Sequence, residues 1–166
     1  MNVAAGSSVT TVNGGITFTA NPTGTATGNF SGIHVDGATL LTLGSGNISL
    51  LGFGADQAGT QLNAGIVLRN STLVETRSSG NITLDGTGGN GTIWNDGLHI
   101  VTNVLVNSTA AATGKITMIG RGGASTTGID NRGVAMGGNS LIRSQGSGDL
   151  EFTGFGGSTT SSNTFG

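Results

Sequence analysis

Gly-Asn-Ile-Ser-Leu at 46–50 returns as Gly-Asn-Ile-Thr-Leu at 80–84, Gly-Lys-Ile-Thr-Met at 114–118 and Gly-Asp-Leu-Glu-Phe at 148–152. Ile48, Ile82, Ile116 and Leu150 are therefore separated by steps of 34 residues, and a divergent copy, Gly15-Ile16-Thr17-Phe18, has its Ile16 32 residues before Ile48. A fixed period of this length marks a repeat whose units bury their apolar faces against neighbouring copies and not within themselves.

Two further motifs keep the same beat. Gly followed by apolar-x-apolar recurs as Gly32-Ile33-His34-Val35, Gly65-Ile66-Val67-Leu68, Gly97-Leu98-His99-Ile100 and Gly133-Val134-Ala135-Met136. Apolar-x-Thr/Ser recurs as Val9-x-Thr11, Leu40-x-Thr42, Val74-x-Thr76, Val106-x-Ser108 and Ile142-x-Ser144. Alternation with period two is strand patterning, so each repeat is expected to hold three short strands with one side chain inward and the next outward. Strands this short cannot bury a face within one turn of chain. They can if the chain coils and equivalent positions stack about 4.8 Å apart as parallel sheets around a narrow apolar interior. Ile16, Ile48, Ile82, Ile116 and Leu150 then form one buried column, and Phe18, Leu50, Leu84, Met118 and Phe152 another.

The corners agree with this reading. Gly-x-Gly follows the first strand at 52–54, 86–88, 120–122 and 154–156, where the backbone must take a positive φ or pass close to a neighbour; Ala20-Asn21-Pro22 replaces it in the first copy. Asn-x-Gly precedes the second strand at 63–65, 95–97 and 131–133. These asparagines are expected to form a hydrogen-bonded ladder along the axis and to suit a left-handed corner. A polar connection of variable length joins the first strand to the second, and its side of the rod is where a binding surface is expected.

The fold expectation is therefore all-β: a parallel β-helix, or β-solenoid, of about 34 residues and three short strands per turn. It has four to five turns, starting near residues 15, 47, 81, 115 and 149, in a single segment spanning 1–166. Composition fits, since only 8% of residues are charged and 33 are glycine, with Thr, Ser and Asn filling the spaces between apolar triplets.

The copies Gly44-Ser45-Gly46-Asn47-Ile48-Ser49-Leu50 and Gly80-Asn81-Ile82-Thr83-Leu84-Asp85-Gly86-Thr87-Gly88-Gly89 resemble the repeats of filamentous-haemagglutinin-type exoproteins and related autotransporter-type bacterial surface adhesins. The resemblance covers nearly the whole chain and implies a right-handed parallel β-helix, export across the outer membrane and display as a long stalk. A secreted, cell-surface location is the matching expectation. The absence of cysteine suits it. Residues 1–6 carry neither a basic region nor an apolar core, so an export signal is expected outside this segment.

Several chemistries find no support in the pattern. The six basic residues are scattered and the net charge is −2, which argues against a nucleic-acid partner. No apolar run approaches the roughly 20 residues of a membrane span, so no membrane insertion is expected. His34 and His99 share an outward position, but Val67 lies between them, about 9 to 10 Å apart in all, so they read as surface imidazoles and not as metal ligands. Gly88-Gly89-Asn90-Gly91 lacks the aspartate of a calcium-binding repeat, and Gly86-x-Gly88-x-x-Gly91 lies at a corner with no helix to complete a dinucleotide site. No cofactor is expected.

β-Helical carbohydrate-active enzymes need carboxylates side by side on successive turns. Here Asp85 has Leu51 and Ile119 as its column neighbours, Glu151 has Thr117, and Lys115 has Asn81 and Asp149, so no catalytic residue is assigned. Asp36 and Arg69 align on adjacent turns as an exposed ion pair of structural use. An ice-binding lattice would need paired Thr columns. Thr17, Ser49, Thr83 and Thr117 supply one, whereas the partner column reads Thr19, Leu51, Asp85, Ile119, Thr153. The sequons at Asn47, Asn70, Asn81 and Asn107 are the chance yield of an Asn- and Thr-rich chain, and Trp94 is expected to cap a wall.

The function expected is a non-catalytic structural or adhesive rod, part of a longer array or a fibre. The alternative is a solenoid that binds a glycan or ice on its connection face. Strand edges open at the two ends give end-to-end self-association into filaments as the expected partner interaction.

Overall fold

The computed structural model describes residues 1–109, 112–125 and 130–158. Within them the chain coils as a parallel β-solenoid, with β3 (Ile16–Ala20), β6 (Ile48–Phe53), β9 (Ile82–Thr87), β12 (Ile116–Arg121) and β15 (Leu150–Phe155) stacked as the sheet of first strands. A second sheet stacks β1 (Asn2–Val3), β4 (Ile33–Asp36), β7 (Ile66–Arg69), β10 (Leu98–Val101) and β13 (Val134–Met136). The third stacks β2 (Ser8–Thr11), β5 (Thr39–Thr42), β8 (Leu73–Thr76), β11 (Leu105–Ser108) and β14 (Leu141–Ser144). Every pairing is parallel, and the register is the one the repeat dictates: Ile16 opposite Ile48, Ile48 opposite Ile82, Ile82 opposite Ile116, Ile116 opposite Leu150.

The columns close a single apolar interior. Ile48, Leu50, Ile66, Leu68, Ile82, Leu84, Leu98, Ile100, Ile116 and Met118 are wholly buried. Each contributes about 1.5–3 kcal/mol relative to an exposed side chain. The third strands send a mixed column inward: Leu40, Val74 and Val106 are buried together with the hydroxyls of Thr42, Thr76 and Ser108. Ser108 Oγ donates to the Gly114 carbonyl (3.2 Å) and Ser144 Oγ to that of Gly148 (2.7 Å), tying the end of the third strand to the start of the next first strand.

Burial comes from stacking and not from the turn itself. Leu150 and Phe152 continue the columns of Ile116 and Met118, yet are 42% and 47% exposed where those two are at 0%. At the other end the structure adds to the sequence reading. The coil already begins at β1, whose Asn2 and Val3 pair with His34 and Val35, ahead of the Val9 at which the pattern first becomes visible.

The glycine motifs serve close approach, not positive φ. A Cβ on Gly86 would lie 2.2 Å from the Gly97 carbonyl, and one on Gly97 would lie 2.2 Å from the Arg121 nitrogen. The Gly-x-Gly of the first strand and the Gly of Asn-x-Gly thus face each other across one corner, which is why the two recur together at 52–54 with 63–65, 86–88 with 95–97 and 120–122 with 131–133. The asparagine reading needs two corrections. The left-handed residue of that corner is the one before the asparagine, at Leu62 (φ 57°), Trp94 (φ 56°) and Asp130 (φ 60°). The buried ladder has a single rung, Asn95 Nδ2 donating to Asn131 Oδ1 (3.0 Å), whereas Asn63 Nδ2 donates to the Asn90 carbonyl in the next turn's connection (2.6 Å). A fuller axial ladder runs elsewhere: Asn47 Oδ1 accepts from the Asn81 backbone N–H, and Asn81 Oδ1 from that of Lys115, each at 2.8 Å. No helix among the described residues is long and apolar enough to cross a membrane.

Candidate functional site

The long connections do not hang free of the rod. Asp56 bridges to Asn90 and Gln61 to Ile93 in parallel fashion, and the Thr92 N–H donates to the Thr60 carbonyl (2.6 Å), so one connection stacks on the next as the strands do. At their ends, the corners formed by residues 29–31, 61–62 and 94 enclose a groove of about 410 Å³ beside the start of the second sheet. Asn29, Phe30 and Ser31 form one wall, Gln61 and Leu62 the next, and Trp94 the third, with His34 of β4 also lining it.

The corner that carries Trp94 is held from beneath. Asp96 is wholly buried, and its carboxylate ties two turns together: Oδ1 accepts from the Arg132 backbone N–H (2.9 Å) and Nε (3.2 Å), and Oδ2 from Arg132 Nη2 (3.3 Å). His99 Nδ1 lies 2.7 Å from Asp96 Oδ2, and against a carboxylate this nitrogen is the donor, which fixes the ring's tautomer. A buried carboxylate satisfied this fully locks the segment Trp94-Asn95-Asp96 in place. Asp96 escapes a reading made column by column for like residues. Its equivalents in the neighbouring turns are Ala64 and Arg132, and that alignment places the Arg beside the Asp.

The two histidines are not the surface imidazoles the pattern suggests. Both are half-buried, His99 is engaged by Asp96, and His34 Nε2 is buried with no hydrogen-bond partner. Burial first, and then the Arg69 guanidinium, hold His34 below the ordinary histidine value, so the ring is neutral at pH 7. Val67 does lie between them, and among the described residues no group of three or more His, Cys, Asp or Glu could hold a metal ion. Trp94, expected to cap a wall, is 41% exposed and lines the groove.

The remaining polar residues fall where the repeat places them. Arg69 Nε and Nη2 donate to Asp36 Oδ2 (3.0 and 2.7 Å), and Asn70 Nδ2 to Oδ1 (2.7 Å), which holds the Asp36 carboxyl below its ordinary value. Asp85 stands between Leu51 and Ile119 in its column and pairs with Arg121 (2.5 Å). Lys115 pairs with Glu151, which raises the lysine above its ordinary value. On the third sheet, Glu75, Asn107 and Arg143 occupy one column, with Asn107 Nδ2 donating to Glu75 Oε2 (2.8 Å) and Arg143 Nε to Asn107 Oδ1 (3.0 Å). In each of these contacts except Arg143 to Asn107, a carboxylate meets a cation or an amide.

No family model, curated protein or solved structure matches the chain. The resemblance to haemagglutinin-type repeats thus rests on strand and corner residues alone. What those residues build is a parallel β-solenoid of about four turns.

Proposed function

We propose that this chain is a structural rod segment of a secreted bacterial surface protein or extracellular filament, adhesive through what it displays and not catalytic. The observation that carries the reading is the unbroken register of three five-stranded parallel sheets, in which each turn rests only on its neighbours and any number of turns can be added without changing the cross-section. The cysteine-free, charge-poor composition supports export. Self-association supplies the filament: Met136, Leu141, Leu150, Phe152 and Phe155 present apolar surface at the β13–β14–β15 end, on which the first turn of a second copy would stack by strand addition.

Joining two copies head to tail tests the rod. Electron microscopy should show one continuous rod, doubled from about 20–25 Å in length at constant width; two beads on a flexible link would contradict it. Sedimentation velocity tests the stacking. Larger species should grow with concentration and vanish in Phe152→Lys, and a strict monomer at high concentration would count against it.

A further inference from the structure

We propose that the groove between Trp94 and Phe30 binds a neutral sugar residue, giving the rod a lectin-like site on its connection face. The inference does not depend on the rod reading, since the groove would bind whether the chain is a stalk or a free domain.

Trp94 is the only tryptophan of the chain, and it is spent on the surface. Burial of such a ring removes about 150–250 Å² from water, so an indole left out is a contact surface foregone by the core. Its backbone is also in the left-handed region, at φ 56°, a conformation that costs a non-glycine residue about 1–3 kcal/mol. The Asp96 and Asn95 contacts hold that conformation in place. An exposed aromatic on a strained, braced corner is preorganised for a partner, because little freedom is left to lose on binding.

The rest of the groove says which partner. A volume of about 410 Å³ lies toward the small end of ligand pockets and suits one or two sugar rings. None of its lining side chains carries a fixed charge, and His34 is held neutral, so nothing there offsets the charge of a phosphate, a sulfate, a uronate or an amine. Asn29 and Gln61 are exposed, and among the described residues their amides make no hydrogen bond. Each amide both donates and accepts, as vicinal hydroxyls require. His34, whose buried Nε2 has no hydrogen-bond partner, lines the wall beside them. A flat apolar face opposite neutral two-way hydrogen-bonding groups matches a pyranose, whose C–H face stacks on the indole while its hydroxyls reach the amides.

The sole tryptophan makes the test direct. The full chain is titrated with neutral oligosaccharides of gluco, galacto, manno and N-acetylhexosamine type, with oligogalacturonate and heparin as charged controls. Trp94 emission and calorimetry are the readouts. At least one neutral series should shift the emission saturably, and the charged series should not. Trp94→Gly removes the ring at a φ that glycine adopts freely, so the fold is retained while calorimetric affinity falls at least about tenfold. Trp94→Phe should retain binding within a few-fold, and Gln61→Ala should weaken it with the melting curve unchanged. The proposal is overturned if no neutral sugar binds up to about 10 mM, where even a millimolar site would be saturated. Preferential binding of the charged series, or full binding by Trp94→Gly, overturns it equally.

Discussion

The sheet of first strands and the connection that follows it are made by the same turns, yet they tolerate difference very unequally. Along the sheet, Ile16, Ile48, Ile82, Ile116 and Leu150 fill one position, and each of these except the last is buried. At the corner ending the connection, the residue equivalent to Trp94 is Leu62 in one neighbouring turn and Asp130 in the other. All three share a left-handed backbone and nothing else. A column inside the rod is constrained by its neighbours' side chains, whereas a stacked corner is constrained only through its backbone, so chemistry can differ there from turn to turn without disturbing the stack.

The contrast can be broken hardest in the column. Ile82→Asp would bury a charge with no partner in the central turn, a change in the class that exceeds about 4–5 kcal/mol and consumes most of the stability of an ordinary domain. Loss of the cooperative thermal transition in circular dichroism is the expected outcome. Asp96→Ala is next. It strands His99 and the partly exposed Arg132 and frees the braced corner, and a destabilisation of about 1–3 kcal/mol in urea melts is expected. If that change costs nothing, the corner is not held by its carboxylate and the preorganisation of Trp94 fails with it.

Smaller effects sharpen the comparison. Asn81→Ala removes the acceptor of the Lys115 N–H at an exposed corner, where water can replace it, so about 0.5–1.5 kcal/mol is expected. Asp36→Asn should cost no more than about 1 kcal/mol, as for a solvent-screened pair. Its pH signature has a definite sign. Because Arg69 and Asn70 lower the Asp36 value, the pair's contribution is complete above the ordinary 3.8 and is lost as pH falls from there through the lower folded value. Melts of wild type and Asp36→Asn should therefore converge in acid and separate, slightly, above it.

The sequence and the structure part company along the same line. The strands were legible because period-two alternation and the 34-residue step repeat the same information several times, so that register, columns and the His34–Val67–His99 order all follow. Strand β1 was not, since two residues carry no alternation and only the finished coil shows that they pair with β4. The groove was hidden for a different reason. The connections hold 12 residues between β3 and β4 and between β6 and β7 but 10 between β9 and β10, so Asn29, Leu62 and Trp94 fall out of step when counted from the first strand and share one position only when counted back from the second. Only the coil's closure brings them together. At the Asn-x-Gly corner the spacing does not tell which residue takes the left-handed conformation: the residue before the asparagine adopts it, and the asparagine itself is buried.

The central claim, that residues one period apart lie one strand spacing apart throughout the rod, is open to a direct distance measurement. The chain has no cysteine, so spin labels at Thr17→Cys and Glu151→Cys would be unique. These residues stand in the outward column of the first-strand sheet, at the two ends of the chain of pairings Thr17–Ser49, Ser49–Thr83, Thr83–Thr117 and Thr117–Glu151. Four strand spacings put their backbones about 19 Å apart. Double electron–electron resonance should give a single narrow distribution consistent with that separation once the label linkers are included. A broad distribution, or one centred well beyond about 30 Å, would mean that the turns are not stacked in this register.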